Sequence, residues 1–321
     1  MMAERIVISG VGPVSAIGIG WEHFANAVRD GLCGIGDVTA FDVDGCRNQQ
    51  AGEIIELDVD GYLATEKNYL DRNSELAFAA AKLAFDDAGF HPSEAATDRF
   101  GLCLGTAYGN VDTQRSFYDL LIEKGPKFVS PFLFPHTYSN TSASLLAIEY
   151  SIRGVHANFC SGSAAGAEAI LYAFDSLRLG RADVMLAGGA ESLSEVVFKG
   201  LDSAGDERIP GEGAALMLLE PERSAKARSA PIRGIIAGAG AGGSVDAAKG
   251  LALADAGILE KRIDVEFGPD QAIDRMVGHT TGASGALAVA GALAVIDKGC
   301  FALVNTCEPG GVCVSIVLER D

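Results

Sequence analysis

The sequence predicts a layered α/β protein, and three observations predict it. Apolar stretches run repeatedly into glycine-rich turns, as in RIVISGVGPVSAIG (5–18) and RGIIAGAGAGGSV (233–245). Apolar residues recur at about 3.6-residue spacing over 21–30, 71–89, 111–124, 140–151, 164–180, 246–257 and 282–297, which predicts helices there. The last of these, GASGALAVAGALAVI, is small or apolar on every side, and a helix of that kind is buried. The two glycine-turn strands, with RFGLCLGTAYGN (99–110) and CFALVNTCEPGG (300–311), outline an internal repeat. Strand–glycine pairs are common in any α/β protein, so the repeat alone does not fix the fold.

Composition sets the class. The chain has 321 residues, 48% hydrophobic and 21% charged, enough for a sizeable core, with 40 glycines for tight strand–helix turns. A net charge of −18 disfavours nucleic acid and anionic membrane surfaces as partners. No apolar run reaches the roughly 18 residues of a membrane span, and the opening MMAERIVISG enters a strand without a leader pattern. A cytoplasmic protein is expected, with its seven cysteines reduced.

Chemistry is concentrated in RGVHANFCSGSAAGAEAILYAFDSLRLGRADVMLAGGAES (153–192), read as strand, small-residue turn, helix and buried strand. Small residues at a helix start allow close approach of a substrate. They leave unpaired amides and the positive end of the helix dipole facing it. A nucleophile or an oxyanion is stabilised there.

These residues resemble the ketosynthase family, the condensing enzymes of fatty-acid and polyketide synthesis. Further resemblance lies in ERIVISGVGPVSAIG, SPFLFPHTYSNTSASLLAIEYSIRG (130–154), RADVMLAGGAES, PGEGAALMLLE (210–220), MVGHTTGASGALAVAGAL (276–293) and the tail NTCEPGGVCVSIVLE (305–319). The resemblance implies a thiolase-like fold: two related α/β halves, each with a mixed five-stranded sheet, in an αβαβα arrangement. The halves would be 1–229 and a shortened 230–321. It places the helices after Ser163 and His279 at the centre, their starts meeting at the pocket.

Two departures from the family decide the expected function. The family nucleophile is a cysteine about ten residues beyond an Arg-Gly pair. That count from Arg153 lands on Ser163, and the ungapped register back from Ala182-Asp183-Val184 also lands on Ser163. Cys160 is the rival nucleophile, or else a small buried residue. The family also uses two histidines. His279 matches one, in a Gly-His segment. The segment 258–277 holds no counterpart of the other, and Asp274 stands near the place of a lysine that assists it.

Phe132 and Phe134 match a region that lines the acyl tunnel in the family, with ordinary core aromatics as the other reading. Pro309 replaces a gating phenylalanine, while Gly310 and Gly311 keep a turn that supplies an oxyanion amide. Glu191 and Glu212 match acidic positions that hold loops or ions and are read as structural. Glu308 reads as a solvated loop charge, RSAKAR (223–228) as a charged surface turn, and His136 and His156 as structural. GAGAGG (238–243) is a turn rather than a phosphate loop, since it lacks the Lys-Ser/Thr ending. No metal or cofactor is implied.

Three functions are therefore weighed. The first is a condensation-incompetent, chain-length-factor-like subunit that pairs with an active ketosynthase and shapes its acyl tunnel, in fatty-acid or type II polyketide synthesis, including highly reducing or aryl-polyene systems. The acyl carrier protein would dock mainly on the partner, because a chain this acidic makes a poor face for an acidic carrier. The strand 155–159 matches the family's dimer-forming strand, so a heterodimer is expected, or a homodimer. The second is a serine acyltransferase or hydrolase using Ser163 and His279. The third is a ketosynthase with Cys160 as nucleophile.

Overall fold

The computed structural model describes residues 4–268 and 273–320. In chain order its strands are β1 (Ile6–Ser15), β2 (Gly18–Ile19), β3 (Gly36–Asp37), β4 (Gln50–Ala51), β5 (Phe100–Gly105), β6 (His156–Phe159), β7 (Val184–Glu191), β8 (Gly213–Pro221), β9 (Gly234–Gly242), β10 (Ile263–Phe267), β11 (Phe301–Cys307) and β12 (Cys313–Glu319). Its α-helices are α1 (Trp21–Asp30), α2 (Arg72–Ala88), α3 (Val111–Lys124), α4 (Thr141–Glu149), α5 (Ala165–Arg178), α6 (Glu195–Ala204), α7 (Glu222–Ala227), α8 (Val245–Ala256), α9 (Asp274–Val277) and α10 (Ser284–Val295).

Helix ends follow local chemistry. The Asp71 carboxylate accepts from the Ser74 amide at the start of α2, and Gly89 ends that helix in the left-handed conformation. Ser194 and Ser244 cap α6 and α8 in the same way.

The strands β10-β11-β12-β9-β1-β8-β7-β5-β6 form one continuous sheet, with β2 hung on β1. From β1 outward through β8, β7, β5 and β6, the pairings are antiparallel, antiparallel, parallel, parallel. From β9 outward through β12, β11 and β10 they are antiparallel, antiparallel, parallel. The repeat outlined in the sequence is thus a repeat of pairing pattern, joined where Ile6–Ile8 of β1 meet Gly234–Ile236 of β9. Five main strands lie on the β1 side. Four lie on the β9 side among the described residues, where five were expected. Residues 268–273 alone separate β10 from α9, too short a stretch for a further crossover, and 269–272 of the segment 258–277 lie outside the described residues.

Five layers follow from the contacts. Helix α2 covers the outer face of β1, β8 and β7, while α8 covers β9, β12 and β11. Between the two sets of strands lie α5 and α10. Every residue of α10 from Ser284 to Ala294 is buried, as its composition requires. The central helices approach closely because their facing residues are small. A Cβ on Gly166 would lie 2.8 Å from the Gly282 carbonyl oxygen.

One cysteine expectation is corrected. Cys307 and Cys313 are register partners at the adjoining ends of β11 and β12, 4.0 Å apart at Cα, and they are joined as a disulfide. Cys33, Cys46, Cys103, Cys160 and Cys300 are free thiols.

Candidate active site

Two single 3₁₀ turns, Gly162–Ala164 and Thr281–Ala283, lead into α5 and α10 and pack on each other between the layers. Ser163 lies in the first and His279 just before the second, both buried. Ser163 Oγ is 3.1 Å from His279 Nε2. His279 Nδ1 is 3.2 Å from Asp274 Oδ2. In the sequence Asp274 stands out only as the replacement of a lysine; the fold makes it the partner of the imidazole.

Backbone contacts fix the ring's position. The His279 amide donates to the Ile209 carbonyl at 2.7 Å, and the Gly211 amide donates to the His279 carbonyl at 3.1 Å. Gly278 has φ +76°, and a Cβ there would run into the Pro210 carbonyl, so only glycine turns the chain into this clamp.

A guanidinium complicates the pair. Arg208 Nη1 is 2.9 Å from His279 Nε2. A guanidinium has donors only, so Nε2 is the acceptor and the imidazole proton sits on Nδ1, facing Asp274. The Nε2 lone pair is therefore shared between Arg208 and the serine hydroxyl. Asp206 holds Arg208 in place, with Oδ1 3.0 Å from Nε and Oδ2 2.6 Å from Nη2. The Arg208 guanidinium in turn holds the Asp206 carboxyl below the ordinary aspartate value.

Glu308 is not a solvated charge. Its Oε2 accepts the Ser163 amide at 2.8 Å, filling the donor expected to hold an oxyanion. In the same loop the Glu308 amide donates to the Val312 carbonyl and the Gly311 amide to the Glu308 carbonyl. Pro309 has no N–H, and among the described residues the Gly310 amide, at φ +74°, has no hydrogen-bond partner. Pro309, Gly310 and Gly311 are all exposed.

Glu191 ties the site together from beneath. Its carboxylate accepts the amides of Ala107, Tyr108, Gly109 and Gly282 and the hydroxyl of Thr106. It thus joins the β5 loop to the turn that starts α10. Burial pushes its carboxyl above the ordinary glutamate value, and the amides offset only part of that rise. Glu212 accepts from Arg72 at 2.8 Å and from the Ile54 amide at 3.0 Å, holding the segment before β8.

Other expected residues fall elsewhere. Cys160 is exposed rather than buried, and it is bonded to Asn158 and Ser139 beside the sheet edge. Phe132 and Phe134 are 55% and 45% exposed, packed on His136 and on Phe117 and Tyr138, so they are not core aromatics of this chain. His136 is buried against Tyr69, and His156 is exposed on β6. Within 223–228, Arg228 turns inward to the buried Glu220 rather than lying in a surface turn.

Burial also ranks the thiols. Desolvation pushes the buried Cys103 thiol up to about 12. Iodoacetamide at pH 8 is expected to label the exposed Cys33 and Cys160 and to leave Cys103 unmodified in the folded chain, read by peptide mass mapping. Labelling of Cys103 at a comparable rate would refute this burial.

With this geometry in hand, comparison with known proteins gives the family. The family model "Beta-ketoacyl synthase, N-terminal domain" matches residues 3–225, and the chain belongs to that family. It is 30% identical over 265 residues to 3-oxoacyl-[acyl-carrier-protein] synthase 2 of Vibrio harveyi, covering 76% of this chain and 64% of that protein. It is 26% identical over 378 residues to the synthase of the same name from Coxiella burnetii, covering 98% and 91%. The chain thus spans under two thirds of the Vibrio relative in the matched region.

Solved structures share the thiolase-like fold. "The ishigamide ketosynthase/chain length factor" superposes with a TM-score of 0.90 at 23% identity, covering 99% of this chain and 100% of that one. A beta-ketoacyl synthase from Burkholderia phymatum STM815 gives 0.85 at 24%, with 99% and 100% covered. Among the described residues no helix is long and apolar enough to cross a membrane.

Proposed function

We propose that the chain is a chain-length-factor-like subunit that cannot condense acyl units by itself and pairs with an active ketosynthase, shaping a shared acyl tunnel in fatty-acid or type II polyketide synthesis. The observation that carries this is the state of the nucleophile turn. Ser163 stands where a thiol is needed, and its amide is occupied by Glu308. A hydroxyl is a weak nucleophile until a base activates it, whereas a thiol is already a few per cent thiolate near pH 7. Decarboxylative condensation also develops charge on an enolate oxygen. That charge needs donors aimed at it in a dry site, and losing one donor lowers the rate about 10²–10³-fold. His279 is the one imidazole at Ser163 among the described residues, and its Nε2 lone pair is already engaged.

The surface supports a partner. Strand β6 closes one end of the sheet and, among the described residues, pairs only with β5. Cys160, just past it, bonds Ser139, so the segment bearing the exposed Phe128, Phe132, Phe134 and Tyr138 runs beside the open edge. Aromatic surface of this kind beside an unpaired edge fits burial by a second subunit. The structural neighbours are named as a ketosynthase with a chain length factor, and as a type II PKS acyl-carrier protein in complex with its ketosynthase. The same pairing and a carrier that docks mainly on the partner fit a chain of net charge −18. A cytoplasmic setting and the division into halves at 1–229 and 230–321 belong to the same proposal.

One observation favours the second reading, a serine acyltransferase or hydrolase. Ser163, His279 and Asp274 stand in line as nucleophile, base and orienting carboxylate. Arg208 and Glu308 oppose it in the resting chain.

Co-expression tests the leading reading. The chain and a cysteine-bearing ketosynthase encoded beside it are expected to co-purify at 1:1. Replacing Phe132 or Phe134 by alanine is expected to weaken the complex or change product length. A monomer that ignores every such ketosynthase would contradict the proposal.

A further inference from the structure

The resting chain holds a carboxylate where an acyl group's oxygen would go. Glu308 Oε2 accepts the Ser163 amide at 2.8 Å, and its side chain lies against Gly162, so closely that a Cβ on that glycine would meet the carboxylate. The loop that carries Glu308 is anchored at its base by the Cys307–Cys313 bond and the β11–β12 ladder, and internally by the Glu308–Val312 and Gly311–Glu308 hydrogen bonds. Glu308 is therefore placed by the fold. Its partner is the amide that would bind the oxygen of an attacked acyl carbonyl.

Around this plug the remaining parts of an acyl-serine site are assembled. The Ser163 hydroxyl is 3.1 Å from Nε2 of an imidazole whose Nδ1 faces the Asp274 carboxylate. We propose that Glu308 determines whether Ser163 can be acylated: its carboxylate keeps a latent acyl-serine site shut, and its removal lets Ser163 accept an acyl group from a thioester. The inference rests on the reading above, in which the natural chain stays unacylated, and names Glu308, beside the Arg208 that engages the imidazole, as a side chain that keeps it so.

The unmasked step balances within the chain. Ser163 Oγ attacks the thioester carbonyl, and its proton passes to His279 Nε2. The carbonyl oxygen takes the Ser163 amide that Glu308 vacates. The C–S bond breaks as the Oγ–C ester forms. The thiolate leaves with the proton from Nε2 as a free thiol. Glu308 opposes this twice: it fills the donor, and its negative charge stands where the developing oxyanion would be.

The test uses the full chain and two probes, a fluorophosphonate and a hexanoyl thioester of N-acetylcysteamine, with intact mass and peptide mapping as readouts. Glu308→Ala and Glu308→Ser are made in parallel, each checked for a native unfolding midpoint. Both are expected to gain an adduct on Ser163 at least about tenfold faster than the natural chain, from the 10²–10³-fold worth of one oxyanion donor. Glu308→Gln keeps an oxygen that accepts the Ser163 amide but removes the charge, and is expected to fall between the natural chain and Glu308→Ala, which separates occupation of the amide from charge. Ser163→Ala with Glu308→Ala is expected to gain nothing. If the natural chain and both small-residue variants are equally inert, the inference fails while the subunit reading stands. If the natural chain itself acylates as fast as Glu308→Ala, the inference fails, and the subunit reading fails with it.

Discussion

Purified alone and given a primed acyl carrier with malonyl units, the chain will form no elongated product, and Ser163→Cys will not rescue it. A cysteine at 163 restores the reacting atom but nothing else. The Ser163 amide still faces Glu308, and the Nε2 lone pair of His279 still faces Arg208. The enolate oxygen still lacks a second imidazole. With the amide and the imidazole each affecting the rate by about 10²–10³, the variant is expected at least about 10⁴-fold below an intact ketosynthase. Product mass and release of carbon dioxide from the malonyl carrier measure this. Elongation by Ser163→Cys within tenfold of an intact enzyme would show that the missing groups are supplied in a way this geometry does not contain.

Glu191→Ala is expected to be the most destabilising substitution near the site. It strips an acceptor from the amides of Ala107, Tyr108, Gly109 and Gly282 in a buried place. Each buried donor left unpaired costs about 1–3 kcal/mol, so the total is about 4 kcal/mol or more. For a chain of 321 residues that lowers the unfolding midpoint by about 6 °C. Glu191→Gln keeps one acceptor but turns an amide donor toward other donors, and should fall between the two. Calorimetry decides it. An unchanged midpoint in Glu191→Ala would mean that the β5 loop and the α10 turn are held by other contacts.

Much of the fold was legible because local rules agreed with it. The apolar spacing over 21–30 and 111–124 gives α1 and α3 at the same bounds, where Gly31 and Gly125 end each helix. The all-apolar α10 could only be interior. Helix α6 was missed although Ser194 and Gly205 bracket it. Strand β10 alternates Ile263, Val265 and Phe267 with Asp264 and Glu266, a readable edge-strand pattern in a segment read only for what it lacked. The disulfide was missed because six residues of separation say nothing until β11 and β12 are paired.

The site divides in the same way. The resemblance singled out Ser163 by its count from Arg153 and His279 by its Gly-His segment, and in the structure each stands at a small-residue turn before a buried helix. Asp274 precedes His279 by five residues, but only the Gly278 turn brings its carboxylate back to Nδ1. Glu308 reads as an ordinary loop charge in the sequence, and nothing there singles out Arg208. Their destinations, 145 and 71 residues away in sequence, are set by the stacking of the two sets of strands and not by any local signal.

The most direct test is product formation by the complex of this chain with its ketosynthase, comparing natural Ser163 with Ser163→Ala. The subunit reading predicts the same product at a rate within about twofold, since the reacting thiol belongs to the partner. A loss of about 10³-fold or more, as follows removal of a working nucleophile, would place the chemistry on this chain and contradict the account.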